Sequence, residues 1–463
     1  MRFGIQTGRF MVRKSLINDM SEGPLFKQLV FFSLPIILGN ILQSFYNIAD
    51  MFIVGNFVGA AGLSAVGIGG MLQGLLLMAG MGMGFGGQIL LSQQVGAGDI
   101  DGINESVGTF FSASAIFAVI LGVLGAALYK PLLSALNTPA EVYGQALSYY
   151  LICCCGLLFI YGYNAVCAVL RGMGESKLPT IIIAIASVIN ILLDLLFIAV
   201  MKMDSGGAAL ATVIAQGAAF LMAAAYLYRH RNSFKFDFKL KSFKINYIKF
   251  RAIMKLSMPL IIYGFLISLS FMFINSNVNI FGVAASAVDG VGSKLGMIAN
   301  AVTMAIYSGG ATIVGQCFGA GNFERIRKLY YLTLSLSLAF WAFTSALMLV
   351  FPVQIFRIFT ADEAVLEMAP RYLRISVLMF FGMAFSTGTF AIIEGVGNTM
   401  LEMWVGIVEN LAVKIGLAML FSSMMGLFGY WLGNALASFT TPIVGNIYFF
   451  SGRWKKRKPV LKS

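Results

Sequence analysis

The chain has 463 residues, of which 59% are hydrophobic and 11% charged, and its mean hydropathy is +0.86. Soluble domains carry about a quarter charged residues, so this composition excludes a water-soluble globular protein. The net charge of +13 would suit a nucleic-acid-binding protein, but the positions of the basic residues argue against that class.

Twelve apolar blocks of membrane-spanning length follow one another along the chain. A helix needs about 20 apolar residues to cross the hydrocarbon core of a bilayer. The sequence therefore predicts an all-α polytopic membrane protein with twelve transmembrane helices. The blocks lie near residues 31–55, 62–86, 106–128, 145–168, 179–201, 206–228, 255–277, 283–309, 329–350, 371–393, 400–422 and 427–450.

Most of the 32 Lys and Arg residues fall on one side of this predicted topology. With an even number of spans, both termini and every second loop share that side. The positive-inside rule then predicts a multi-pass protein of the plasma membrane (the inner membrane of a bacterial cell) with both termini in the cytoplasm. Topology accounts for the basic charge, so we expect a lipid bilayer as partner and no nucleic acid.

Cysteine and histidine give no sign of a metal site. The five cysteines lie inside apolar runs, and the single histidine, His230, lies in a basic stretch. This pattern is typical of helix packing and not of a disulfide framework or a metal centre. We expect no cofactor and no enzymatic activity.

Three short motifs recur at an offset of 223 or 224 residues, which predicts two copies of a six-helix unit. Six is an even number, so the two bundles share one orientation, are pseudo-symmetric and surround a central cavity. The matching pairs are "FSLP" at 32–35 and "LSMP" at 256–259, "VGAGD" at 95–99 and "FGAGN" at 318–322, and "RGMGES" at 171–176 and "EGVGNT" at 394–399.

The repeat predicts two lobes joined by a linker. Such doubling favours a substrate path that opens alternately to either side of the membrane. No nucleotide-binding loop is present, so we expect an ion gradient to drive transport. The predicted domains are a basic cytoplasmic tail (1–25), the N-lobe (26–228, helices 1–6), a basic cytoplasmic linker (229–250), the C-lobe (251–450, helices 7–12) and a second basic cytoplasmic tail (451–463).

Helix 1 carries four polar residues, Asn40, Gln43, Asn47 and Asp50, at spacings of 3, 4 and 3. This spacing places them on one face of the helix. A carboxylate in the hydrocarbon core costs roughly 2.5–3.5 kcal/mol, so this face is expected to line a wet cavity and not lipid.

Helices 5 and 6 add Asn190, Asp194 and Thr212. From a rise of about 1.5 Å per residue, Asp50 lies about 28 Å and Asp194 about 22 Å above the cytoplasmic start of their helices, and Thr212 about 9 Å below the outer end of helix 6. Two carboxylates that meet there repel each other and favour a bound proton or cation. Their oxygens are also suitable ligands for a small cation such as Na⁺. The alternative is ordinary polar hydrogen bonding between helices.

The C-lobe lacks this constellation, since Val413 and Leu417 stand at the positions equivalent to Asn190 and Asp194. One ion site per molecule is therefore expected, in the N-lobe. The C-lobe charges are expected to form neutralising pairs, with a role in substrate or ion handling as the alternative. These charged residues are Asp289 and Lys294 on helix 8, and Glu409 and Lys414 on helix 11.

Several of these stretches resemble multidrug and toxic compound extrusion (MATE) transporters. They are "LPIILGNILQSFYNIADMFIVGNFVGAAGLSAVG" at 34–67, the "QQVGAGD" loop with its echo "GQCFGAGN", and the "LRGMGESKLP" turn. The resemblance covers nearly the whole chain. It implies twelve helices in two bundles and the cation-coupled antiport of organic, mostly cationic, amphipathic compounds.

One branch of that family carries an acidic site in the N-terminal lobe, and Asp50, Asn190, Asp194 and Thr212 match it residue by residue. The resemblance also implies that Pro35 marks a bend of helix 1. A second branch has its acids on helices 7 and 10, where this chain has none before Glu394. Substrate contacts are predicted at Tyr46, Met78, Tyr161, Phe271 and Met272.

Three other functions fit this pattern less well. A lipid-linked oligosaccharide flippase of the same superfamily would need a basic cavity for a pyrophosphate, which the N-lobe acids do not favour. A membrane enzyme would need a cluster of catalytic or metal-binding side chains. A major-facilitator carrier would carry a Gly-x-x-x-Asp-Arg loop after helix 2, and "QQVGAGDIDG" does not match it. The sequence therefore predicts a monomeric exporter that couples the export of small organic cations to H⁺, Na⁺ or both.

Overall fold

The computed structural model describes residues 17–136 and 138–462, and every regular element in these ranges is helical. The all-α fold class is thus confirmed. The predicted basic tail at 1–25 lies mostly outside the described residues. The long helices are α1 (Leu25–Phe57), α2 (Ala60–Gly96), α3 (Ile100–Ala127), α4 (Ala140–Gly172), α5 (Lys177–Val200), α6 (Asp204–Arg229), α7 (Tyr247–Val278), α8 (Val283–Gly319), α9 (Phe323–Val350), α10 (Glu363–Gly395), α11 (Thr399–Met425) and α12 (Leu427–Ala437 and Thr440–Phe450).

The twelfth helix is interrupted between Ala437 and Thr440, whereas α1–α11 are each long and apolar enough to cross a membrane. Pro442 explains the interruption. A proline inside a helix has no N–H to donate, and its ring clashes with the carbonyl four residues earlier, here that of Ser438. The predicted block at 427–450 is therefore present as two stacked half-helices.

The internal repeat is visible in the backbone. Short helices follow α3 at Tyr129–Ala135 and α9 at Pro352–Arg357, one repeat apart. Asp99 and Asn322 are also equivalent, and each side chain caps the helix that follows it. Three pairs of equivalent glycines, which alone adopt positive φ at little cost, complete the pattern. They are Gly59 and Gly282, Gly98 and Gly321, and Gly174 and Gly397.

The lobes meet along a seam formed by α1 and α2 of the N-lobe and α7 and α8 of the C-lobe. We call the side of the molecule that holds Leu25 and Phe450 the terminal side. Gly96 and Gly319 are equivalent positions where α2 and α8 cross there. A Cβ on Gly96 would lie 1.8 Å from the Gln316 carbonyl oxygen, and one on Gly319 would lie 2.0 Å from that of Gln93. Only glycine permits this approach.

The seam is closed on the terminal side. Gln88 Nε2 donates to Thr312 Oγ1 at 2.8 Å, and Gln93 Nε2 donates to the Gly395 carbonyl at 2.9 Å. Among the described residues, the hydrogen bond between the lobes that lies farthest from the termini joins Asn40 Nδ2 to the Ala301 carbonyl, at 3.1 Å. Beyond that level no hydrogen bond joins the described residues of the two lobes, so their polar contacts are confined to the terminal half of the molecule.

Both tails bind across the terminal end of the seam. Asn18 donates its backbone N–H to the Met173 carbonyl of the N-lobe (2.9 Å), and Met20 donates its own to Gln316 Oε1 of the C-lobe (2.6 Å). At the other end of the chain, Val460 donates its backbone N–H to Gln93 Oε1 at 3.0 Å. Each tail therefore holds the two lobes together.

The linker after α6 is packed and not extended. Ser112 Oγ donates to the Phe243 carbonyl at 2.6 Å, and Asn246 donates its backbone N–H to Thr109 Oγ1 at 3.1 Å. Phe234 and Phe236 are buried in the core of the N-lobe. The linker is therefore fastened to α3, although the domain boundaries at 228 and 250 stay predictions.

Candidate functional site

The carboxyl groups of Asp50 on α1 and Asp194 on α5 contact each other at hydrogen-bonding range. Asp194 is fully buried and Asp50 is 9% exposed. Each has an oxygen, Oδ1, that is buried without a hydrogen-bond partner. Two contacting carboxyl groups do not both stay ionised unless a cation lies between them, so this arrangement suits a bound proton or a small cation.

Asn190 and Thr212 complete the predicted set. Asn190 lies one turn before Asp194, and its Nδ2 is 3.4 Å from Thr212 Oγ1. With the amide turned over, its nitrogen donates to Asp194 Oδ2 (3.3 Å) and its oxygen accepts from the Thr212 backbone N–H (3.3 Å). The second orientation satisfies more atoms, because it gives the buried Asp194 carboxylate a donor. The structure therefore brings all four predicted residues together.

A π-helical segment, Leu195–Val200, begins directly after Asp194. The i→i+5 pattern is seen there in the backbone bond from the Met201 N–H to the Leu196 carbonyl, at 2.9 Å. Single π-helical turns inside α-helices are rare and frequently occur at functional sites. This π-helical distortion lies next to the buried acid of α5. The hydropathy pattern did not predict the distortion.

Three neighbours of the acid pair were not identified from the sequence: Gln73, Tyr149 and Cys153. Tyr149 donates its hydroxyl to Gln73 Oε1 at 3.3 Å. Tyr149 and Cys153 both lie close enough to Asp50 to interact with its charge. Gln73, a lone amide in the apolar run of α2, was a usable signal, whereas Tyr149 and Cys153 resemble ordinary packing residues in sequence.

A cavity of about 210 Å³ lies inside the N-lobe, between α1, α2, α4, α5 and α6, and touches α8. Tyr46 and Thr212 line it, and they also line a small second space that reaches Asn190. The cavity therefore leads towards the acid pair. Its other polar residues are Asn40, Gln43, Gln73, Gln88, Asn164, Arg171, Ser176, Thr180, Gln216 and Ser308.

The polar face of helix 1 is only partly inside this cavity. Asn40 and Gln43 line it, whereas Asn47 is exposed outside it. Pro35 lies within a continuous α1, and its carbonyl accepts a hydrogen bond from Thr180 Oγ1 on α5 at 2.7 Å. Bending of α1 at Pro35 stays a prediction.

The five predicted substrate contacts are scattered. Tyr46 lines the cavity, and Met78 packs against Gly264 of the C-lobe. Phe271 and Met272 on α7 are exposed. The prediction for Tyr161 is wrong, because its side chain is buried inside the N-lobe and donates its hydroxyl to the Leu76 carbonyl at 2.6 Å.

The expected ion pairs of the C-lobe do not form. The ion pairs within 4.0 Å in the described ranges are Lys239–Asp237, Lys249–Asp99 and Lys328–Glu324. Five residues turn an α-helix by about 140° beyond one full turn, so Asp289 and Lys294 face different directions. Asp289 lies beside Trp431 instead, and Lys294 is exposed.

Glu409 and Lys414 differ from Asp289 and Lys294, because the segment Val408–Val413, which contains Glu409 and directly precedes Lys414, is π-helical. That spacing brings residues five apart nearly into line, and the two charges interact. Even so, Glu409 uses its Oε2 to accept from the backbone N–H of Thr441 (3.0 Å) and from its hydroxyl. It thereby caps the half-helix that begins at Thr440.

The MatE family model matches residues 35–196 and 259–420, once in each half. The chain belongs to the MatE family. The two matches of this MatE chain begin one repeat apart, at the two prolines near the starts of α1 and α7. The resemblance inferred from the motifs is therefore confirmed.

Relatives of the MatE chain match it over almost its full length. The probable multidrug resistance protein YpnP of Bacillus subtilis (strain 168) is 29% identical over 446 residues, which cover 95% of this chain and 98% of that protein. The probable multidrug resistance protein NorM of Thermotoga maritima is 24% identical over 97% of each chain. The multidrug export protein MepA of Staphylococcus aureus (strain NCTC 8325 / PS 47) is 23% identical over 88% of this chain and 90% of that protein.

Solved structures share the fold. A MOP superfamily transporter from Pyrococcus furiosus has a TM-score of 0.88 at 22% identity, over 96% of this chain and 99% of that one. The Vibrio cholerae MATE transporter VcmN in the bent form has a TM-score of 0.86 at 21% identity, over 93% and 98%. The twelve-helix, two-lobe architecture is therefore confirmed.

Together these matches make the MatE chain a multi-pass membrane transporter and not an enzyme. The flippase alternative is not favoured, since the relatives named above are described as multidrug resistance or export proteins. Within the described residues, no group of three or more His, Cys, Asp and Glu side chains is arranged to hold a metal ion.

Proposed function

We propose that the chain is a cation-coupled antiporter that exports amphipathic, mostly cationic organic compounds by alternating access. The observation that carries the proposal is the buried contact between Asp50 and Asp194 beside a polar cavity. The description of its relatives as multidrug resistance proteins supports the substrate class.

The acid pair supplies the coupling. When it holds a proton or Na⁺, its charge is reduced and an organic cation in the neighbouring cavity is held less tightly. When the ion leaves, the negative charge of the two carboxylates again attracts the organic cation in the cavity, at the end that Tyr46 and Thr212 line. A ligand shifts a conformational equilibrium only through its different affinities for the two states, and competition at the pair supplies that difference.

The basic tails and linker support a cytoplasmic terminal side. The side that lacks hydrogen bonds between the lobes then faces outward, and we infer that in this conformation the N-lobe acids take up the ion and release the drug. Opening of the seam on the terminal side would let the ion leave and a new drug molecule enter. One chain contains both lobes and the whole path, which is consistent with a monomer in the plasma membrane.

The test is efflux of a fluorescent organic cation from proteoliposomes under an imposed pH gradient or an imposed Na⁺ gradient. Asp50→Asn and Asp194→Asn are expected to abolish gradient-driven efflux while the protein still binds the dye. Asp204→Asn is the matched control, because Asp204 is exposed at the start of α6 in the same lobe. The gradient that drives efflux identifies the coupling ion.

Two results would contradict the proposal. If Asp50→Asn and Asp194→Asn both transport at the wild-type rate, the acid pair is not the coupling site. If no organic cation moves but a labelled lipid-linked sugar crosses the bilayer, the chain is a flippase and the proposed substrate class is wrong.

A further inference from the structure

A second pair of buried acids lies in the C-lobe, close to the terminal side. Glu394 is next to the last residue of α10, and Glu402 lies in the first turn of α11. Their side chains lie next to each other, at hydrogen-bonding range. Glu394 is 1% exposed and Glu402 is 3% exposed, and Oε2 of each is buried without a partner.

This contact favours a shared proton. A hydrogen bond between two carboxyl groups needs one O–H donor, and two buried like charges in contact repel strongly. In the described ranges no Lys or Arg forms an ion pair with either acid. Oxygen-bound cations take six or more ligands as a rule, and this pair offers too few. A shared proton is therefore the ligand that fits.

The titratable groups around the pair come from each neighbouring element. Tyr263 on α7 and Tyr307 on α8 are close enough to interact with both acids, and Tyr263 also interacts with Glu409. The carbonyl of Lys255 on α7 is 3.5 Å from the Thr399 hydroxyl. Arg457 of the C-terminal tail donates to Asn398 Oδ1 in the turn between α10 and α11, at 2.9 Å, and Tyr448 of α12 also contacts Asn398.

The fold itself does not call for these acids. The internal repeat pairs Glu394 with Arg171 and Glu402 with Pro179, so the N-lobe builds the same turn without a buried pair of acids. Burying an acid pair costs free energy that the equivalent turn avoids. The pair is therefore a property of the C-lobe alone, and it is separate from Asp50 and Asp194.

The pair is tied to the closed seam. Gly395, directly after Glu394, accepts the hydrogen bond from Gln93 Nε2 of the N-lobe. On the side of the central space, Tyr307 stacks on Phe85 with ring centroids 6.1 Å apart, and Phe390 lies 6.0 Å from Tyr307. Separation of the lobes on the terminal side would break the Gln93 contact and admit water to the pair.

We propose that Glu394 and Glu402 form a second proton-binding site, which exchanges its proton with the terminal side and must be protonated for the seam to close. When the lobes part, the carboxyl O–H gives its proton to water, and the two carboxylates then favour the hydrated, open state. Reprotonation from the same side permits closure. The role in the transport cycle rests on the proposed antiport, but proton binding and gating do not.

The first experiment measures protonation directly. Infrared spectra of the protein in nanodiscs are recorded in an Asp50→Asn, Asp194→Asn background, where the buried acid pair of the N-lobe is absent. We expect a protonated-carboxyl band that Glu402→Gln and Glu394→Gln each remove. The matched control, Glu324→Gln, removes an exposed carboxyl group paired with Lys328 and should leave the band unchanged. Persistence of the band in both pair variants would overturn the proposal.

The second experiment measures gating. Thr312 is buried at the seam, so a thiol at Thr312→Cys reacts only when the terminal side opens. In the same background, with the five native cysteines replaced, the labelling rate is divided by that of an exposed thiol at Asn56→Cys, which corrects for thiolate formation. This relative rate should increase with pH by up to about tenfold per pH unit, the limit for one linked proton. In the Glu402→Gln variant it should not depend on pH, and an unchanged response there would refute the gating role. Neither readout needs transport, so failure of the antiport proposal is recognised separately.

Discussion

Gln93 and Gln316 occupy equivalent positions of the two repeats and make the same contacts across the seam. Gln93 Nε2 donates to the carbonyl of Gly395, and Gln316 Nε2 donates to that of Gly172, which is the residue equivalent to Gly395. The Oε1 of each glutamine accepts a backbone N–H from a tail, Val460 for Gln93 and Met20 for Gln316. Each repeat thus supplies one glutamine, and both glutamines hold the terminal side closed with the same two kinds of hydrogen bond.

The first prediction concerns this glutamine pair. Replacing both, in Gln93→Ala with Gln316→Ala, removes donors to Gly395 and Gly172 and should favour the state that is open on the terminal side. A net contribution of about 1 kcal/mol per hydrogen bond gives a shift of roughly 30-fold for the double variant. The measurement is the labelling rate of Thr312→Cys in membrane vesicles.

Asn56→Ala is the control for that experiment. Asn56 donates to the Phe52 carbonyl within α1, is exposed and lies far from the seam. Its replacement should leave the labelling rate unchanged. Equal labelling in the double glutamine variant and the control would mean that the two bonds do not hold the lobes closed.

The second prediction concerns the crossing of α2 and α8. Gly96→Ala places a methyl group 1.8 Å from the Gln316 carbonyl, which requires the helices to move apart. Alanine favours the helix more than glycine does, so the effect would come from the seam and not from unwinding of α2. We expect faster labelling of Thr312→Cys and loss of most transport. Gly70→Ala, with no atom within 4 Å of the added group, should behave as wild type.

The meeting of Asp50, Asn190, Asp194 and Thr212 could be predicted from the sequence, because helices rise regularly and residue number converts to depth. Tyr161 was misjudged because an evenly apolar helix does not reveal which face lines a cavity. The contact between Glu394 and Glu402 depends on how the α10–α11 turn folds. Pro442 was visible in the sequence, but Glu409, which caps the second half-helix by accepting from Thr441, is 32 residues away in the chain and on another helix.

The third prediction tests Thr212 as part of the ion site. Thr212→Val keeps the side-chain shape and removes the hydroxyl beside Asn190. Loss of one oxygen partner, worth about 1 kcal/mol, should weaken the apparent affinity for the coupling ion roughly fivefold. The quantity to measure is the concentration of the coupling ion that gives half-maximal efflux. Thr212→Ser retains the hydroxyl and should restore the wild-type value, whereas equal defects in the two variants would point to packing.

The last prediction concerns the broken helix α12. Glu409 accepts the Thr441 N–H at the start of the second half-helix, where the positive end of the helix dipole favours a negative charge. Glu409→Gln keeps the size and an acceptor oxygen but removes the charge, so we expect the variant to be less stable by about 0.3–1 kcal/mol, the usual value of a charge at a helix terminus. The midpoint of thermal unfolding in detergent should fall accordingly. Glu324→Gln, which breaks only an exposed pair with Lys328, should leave it nearly unchanged. An unchanged midpoint in Glu409→Gln would show that the carboxylate does not hold the two halves of α12 in place.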